Sequence, residues 1–170
     1  MFVCIIINSF YFGIVDAQLT LSFKTLFIIV VVSILAILFF ITDFIVLNMI
    51  TNKVLILDFP YFFKGKVQII AFLISLLIAI QEEFLFRYYL FQESSYPSIF
   101  LLLIGSVSFG VIHIVFSKYD IFSKTFLGFV CGVIFLLTNS ILFSILFHII
   151  YNYFTLKNKT TELEVSSFGN

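Results

Sequence analysis

The chain has 170 residues, 62% of them apolar and 11% charged, with a mean hydropathy of +1.23. Soluble domains carry roughly a quarter charged residues, so this composition excludes an ordinary soluble globule and describes an all-α polytopic membrane protein. Nine basic and nine acidic side chains cancel to zero net charge, which argues against nucleic acid as a partner.

In chain order, apolar runs predict spans at 1–15, 25–48, 67–95, 97–117, 121–137 and 139–156, a bundle of five or six helices. The shorter runs fall below the about 20 residues of a perpendicular crossing and must tilt or pack against neighbours. Residues 1–66 form the N-terminal spans and a connector, 67–156 a core, and 157–170 a polar tail. The first run lacks the basic flank of a secretory signal. Cys4 and Cys131 lie in separate apolar runs without a CxxC pair and read as buried thiols. In the stretch 49–66, Lys53, Asp58, Lys64 and Lys66 indicate an interfacial connector, and Pro60 and Gly65 interrupt any helix there. Lys53, Lys64, Lys66, Lys118, Lys124, Lys157 and Lys159 occupy one alternating set of loops, against Lys24 in the other. The positive-inside rule makes the first set, and the C-terminal tail with it, cytoplasmic in a multi-pass membrane protein.

The third run carries three ionisable groups that spanning a bilayer does not require: Glu82, Glu83 and Arg87. Each costs roughly 2.5–3.5 kcal/mol at bilayer depth, so together they mark a functional site. Glu83 and Arg87 are four apart with the acid first, the favourable order for an intrahelical pair. Glu82 points about 100° away and is left without that partner. Pro97, after the polar stretch 92–95, is the turn to the next span. Fifteen residues separate Glu82 from Pro97 and sixteen separate Pro97 from His113. A helical hairpin therefore sets Glu82 and His113 level, roughly 22–24 Å from the turn at a rise of 1.5 Å per residue. His113 and Asn152 each precede a boundary lysine by five residues, and His148 lies one turn deeper than Asn152. A carboxylate, two imidazoles and a carboxamide thus converge near one depth from three helices. A lone histidine in such a helix more often serves packing, and it is the combination that points to chemistry. Gly128 and Gly132 read as a close helix contact, and Asp43 as an interfacial carboxylate.

These residues are ordered as EExxxR (Glu82, Glu83, Arg87), FxxxH (Phe109, His113) and HxxxN (His148, Asn152). In that order, over about 67–156, the chain resembles the CPBP family of intramembrane proteases, also called Abi, which groups type II CAAX prenyl endopeptidases with bacteriocin-processing proteins. Thr138-Asn139-Ser140-Ile141 resembles the family's Thr-Gly-Ser-hydrophobic turn, with asparagine replacing glycine. The resemblance implies an endopeptidase in which Glu82 and His113 activate water and Glu83 with Arg87 holds the helix. It further implies that His148 and Asn152 stabilise the oxyanion or orient the carbonyl, with Phe109 packed beside His113. The implied partners are a peptide or membrane-protein substrate, of CAAX, bacteriocin or pheromone type, and the lipid bilayer.

No metal is expected to be obligatory, although Glu82, His113 and His148 form a legitimate zinc set with an open position for water. Motifs of other intramembrane proteases are missing: there is no HExxH, GxSxG or GxGD. Two rivals stand beside the protease. One is a non-catalytic immunity or resistance protein that binds a bacteriocin, and the other a small transporter using the polar cluster as a proton or ion relay.

Overall fold

The computed structural model describes residues 22–52, 67–92, 96–114 and 118–168. The expected first span, Cys4 and the connector beyond Asn52 lie outside the described residues. Among the described residues there are five helices and no strand. Helix α1 is Phe23–Asn52, with the Ser22 hydroxyl accepting from the Lys24 N–H at 3.3 Å as its cap. Helix α2 opens as Ile69–Glu83, widens into a π-helix over Phe84–Tyr89 and closes with Leu90–Gln92. Helices α3, α4 and α5 are Ser98–Val111, Lys118–Thr138 and Ile141–Phe168. The stretches Phe23–Ile50, Ile69–Tyr89 and Tyr119–Thr138 are long and apolar enough to cross a membrane, while Ser98–Val111 and Ile141–Lys157 are shorter apolar helices.

Two boundaries differ from the sequence expectation. The span expected over 97–117 stops at Val111, where the backbone tightens into turns donating from His113 to the Gly110 carbonyl and from Ile114 to that of Val111. The last helix runs on through the expected polar tail to Phe168, because neither glycine nor proline interrupts 141–168.

Packing follows small residues and spaced aromatics. On α1, Val32, Ala36 and Phe40 recur every four residues and are buried against Phe143, Phe147 and Tyr151 of α5, which repeat the same spacing. Much of the rest of α1 is exposed and apolar, as a lipid-facing surface requires. Helices α3 and α4 approach closely at glycines. A Cβ on Gly110 would run into Thr125 Oγ1 and stand 2.7 Å from the Ile121 carbonyl. One on Gly132 would run into the Leu102 side chain, and one on Gly128 would meet Phe109 at 3.1 Å. The glycine step on α4 is thus the close contact its spacing predicts. Between α4 and α5, Asn139 takes the left-handed conformation with φ 50°, which asparagine tolerates better than other residues with a side chain. That is why asparagine can stand where the resembling family has glycine. The Thr138 hydroxyl ties this turn together, donating to the Ile134 carbonyl at 2.7 Å and accepting from the Ser140 N–H at 3.3 Å.

Candidate functional site

The site is built outward from a buried ion pair. Glu83 is fully enclosed, with Arg87 Nη1 3.0 Å from its Oε1. The His148 ring brings Nδ1 to 2.9 Å from that same oxygen, and the Ser144 hydroxyl donates to Oε2. Arg87 continues to α4, donating from Nη2 to the Gly128 carbonyl at 2.8 Å. One carboxylate therefore joins α2 to α5, and its arginine joins α2 to α4. A buried charge is tolerable only with such partners. Arg87 lies within the π-helix, an irregularity that recurs at functional sites and that nothing in the sequence announces.

Phe109 is the packing centre. It is fully buried, its ring 5.6 Å from Phe86, 4.9 Å from His113 and 5.6 Å from His148, with the Arg87 guanidinium 5.0 Å from its centroid. The bare face of Gly128 leaves room for this ring against α4. The packing of Phe109 beside His113 is as expected.

Glu82 lies between the two imidazoles. Its Oε1 is 3.5 Å from His113 Nε2 and its Oε2 is 3.7 Å from His148 Nε2. The level placement argued from the hairpin count is what the structure shows. The other nitrogen of each ring determines what Nε2 can do. His113 Nδ1 lies 2.8 Å from the Phe109 carbonyl, which only accepts, so Nδ1 carries the hydrogen. His148 Nδ1 likewise donates to the Glu83 carboxylate. In the neutral ring, each Nε2 then offers a lone pair toward Glu82.

Asn152 stands one turn beyond His148 on α5 and is half-buried, but no hydrogen bond among the described residues joins it to the cluster. Lys124, counted with the cytoplasmic lysines although it falls within the expected span over 121–137, belongs to α4 and is half-buried, its ammonium 4.6 Å from the centre of the Tyr151 ring. Asp43, read as interfacial, is half-buried and accepts from the Tyr151 hydroxyl at 2.6 Å, which ties α1 to α5. No motif spacing marks Lys124 or Tyr151. Their signal in the sequence is indirect, one turn before Gly128 and three residues after His148.

The three donors expected for a metal are not the set that closes. The described residues whose ligand atoms all lie within 4.8 Å of one another are Glu83, Cys131 and His148, all buried. That set does not fit a hydrolytic metal. Both Glu83 oxygens are engaged by Arg87, His148 and Ser144, and the Cys131 thiol faces the Ser144 carbonyl at 4.0 Å. No face remains open there for water.

Comparison with known proteins gives one family. A family model described as type II CAAX prenyl endopeptidase Rce1-like matches residues 65–154, more than half of the chain. No curated protein and no solved structure matches.

Proposed function

The chain belongs to the type II CAAX prenyl endopeptidase Rce1-like family, and from that membership we propose that it hydrolyses a peptide bond of a membrane-associated protein or peptide with Glu82 as the base. One observation carries this reading. Glu82 Oε1 and His113 Nε2 face each other at 3.5 Å as two acceptors, the histidine fixed in that role by the Phe109 carbonyl. In this reading the nucleophile is a water beside the pair, giving one hydrogen to each.

When that water attacks the scissile carbonyl carbon, its proton passes to Glu82 and the carbonyl π electrons move onto oxygen. His148 differs from His113 in having a carboxylate, Glu83, behind its Nδ1. The Asn152 amide, one turn along α5, donates to the oxyanion, while His148, held at Nδ1 by Glu83, orients the reacting groups. Glu82 returns its proton to the amine as the C–N bond breaks, releasing a carboxylic acid and an amine. Glu83 and Arg87 hold the three helices in register and touch no reacting atom. The substrate class is a C-terminal CAAX sequence prenylated on cysteine or, as an alternative, a bacteriocin- or pheromone-type peptide.

A divalent metal is a second reading, resting on the same lone pairs although the three donors do not close into one set. Glu82, His113 and His148 would hold it, with Phe109 and Glu83 as the outer partners of the rings, and it would supply Lewis acidity to water. Activity unchanged by a tight chelator supports the metal-free form. Loss on chelation restored by zinc supports the metal.

The test uses the full chain in proteoliposomes with a quenched-fluorophore peptide ending in a prenylated CAAX sequence. Glu82→Gln, His113→Ala and His148→Ala should each abolish cleavage while inserting normally. Full activity in all three would give the protein a non-catalytic binding role instead.

A further inference from the structure

Resting on the peptidase reading, we propose that Ser144 is a positioning residue: its hydroxyl, set between the second oxygen of Glu83 and the Cys131 carbonyl, aims His148 at Glu82.

Glu83 is fully buried with two oxygens to satisfy, and α5 brings a side chain to each. His148 Nδ1 lies 2.9 Å from Oε1, and Ser144, one turn earlier on the same helix, donates to Oε2. Arg87 shares Oε1 from within α2. A carboxylate held at one oxygen still turns about its last side-chain bond, a soft torsion with broad minima. Held at both oxygens, its plane is set. That plane sets the His148 ring, because Nδ1 follows Oε1. The opposite nitrogen of the ring, Nε2, is the atom 3.7 Å from Glu82 Oε2. Ser144 therefore acts on the site through Glu83 and His148, as a supporting hydrogen bond locks the groups that face a substrate.

Ser144 also reaches α4. Its hydroxyl lies 3.0 Å from the Cys131 carbonyl, so one hydrogen faces acceptors on two other helices, the carboxylate taking the stronger, charge-assisted share. The Cys131 thiol faces the Ser144 carbonyl in return at 4.0 Å. Three residues before Cys131, the Gly128 carbonyl accepts from Arg87 at 2.8 Å. Both ends of the ion pair thus meet one stretch of α4, Arg87 directly and Glu83 through Ser144. Ser144 and Cys131 are fully enclosed, and a carboxylate oxygen stripped of its donor there stays without one.

The test measures kcat and KM for the prenylated CAAX peptide with the full chain in proteoliposomes, at equal inserted and folded protein. Ser144→Ala should lower kcat about tenfold with KM unchanged, since it loosens the aim of His148 and leaves the substrate's contacts in place. Ser144→Cys keeps nearly the same volume with a weak donor and should show the same defect. Ser106→Ala is the control. It removes another buried hydroxyl, one that bonds the Leu102 carbonyl of its own helix at 2.6 Å, and should keep the wild-type kcat. Wild-type kcat in Ser144→Ala overturns the proposal, as does an equal loss in Ser106→Ala. Should Ser144→Ala fail to fold, Ser144→Cys decides, wild-type kcat in it overturning the proposal. Glu82→Gln run alongside separates the two ideas: if it is inactive while Ser144→Ala is fully active, only the role of the serine fails. If Glu82→Gln is active, the peptidase reading fails first and the proposal falls with it.

Discussion

Glu82 and Glu83 are neighbours in sequence and differ entirely in surroundings. Glu83 is enclosed by Arg87, His148 and Ser144, whereas Glu82 faces two imidazole nitrogens without a close direct bond to either. Their glutamine variants should therefore separate stability from activity. Glu83→Gln leaves Arg87 buried without its carboxylate and should cost about 3–5 kcal/mol of stability, read as a lower midpoint of thermal unfolding in detergent. Glu82→Gln should leave that midpoint unchanged and remove activity. An unaltered midpoint in Glu83→Gln would show that the pair does not hold α2, α4 and α5 together. Much of this was legible in the sequence. The acid-before-base spacing gave the ion pair, and counting from Pro97 set Glu82 and His113 level. The partner behind each Nδ1 was not legible, since that of His148, Glu83, is a contact with no fixed spacing.

At the scale of helices, the close approach of α3 to α4 and the turn into α5 position the cluster. A methyl group on Gly110 meets both Thr125 and the backbone carbonyl of Ile121, whereas one on Gly132 meets the movable end of Leu102. Gly110→Ala should then destabilise by about 1–3 kcal/mol and Gly132→Ala by clearly less, in the same thermal assay. Equal effects would contradict the packing described. At the turn, Asn139→Gly should be tolerated, while Asn139→Ala should cost about 1 kcal/mol, since φ 50° penalises a side chain without asparagine's local hydrogen bonding. The GxxxG step and the substituted turn were visible as patterns. The π-helix at Phe84–Tyr89 was not, nor was the end of α3 at Val111. The π-helix carries Arg87 to the Gly128 carbonyl, and past the end of α3 the His113 ring bonds the Phe109 carbonyl, neither of which a continuous apolar run announces.

Across the whole molecule, the distribution of lysines proposes that the cluster opens toward the cytoplasm with the C-terminus on the same side. A reporter fused to the C-terminus should be active only if it folds in the cytoplasm, and an external signal would reverse the assignment. The all-α bundle was readable from composition because lipid leaves helices or closed barrels as the spanning structures. What composition could not reveal was the contact of Lys124 with the Tyr151 ring, since a lysine near a boundary reads first as a topology signal. The account rests above all on water activated by Glu82. The most direct measurement is single-turnover cleavage of the prenylated CAAX peptide by wild type and Glu82→Gln in matched proteoliposomes. A loss of at least about a hundredfold, with normal insertion and an unchanged unfolding midpoint, is the predicted result. Cleavage by Glu82→Gln at the wild-type rate would contradict it.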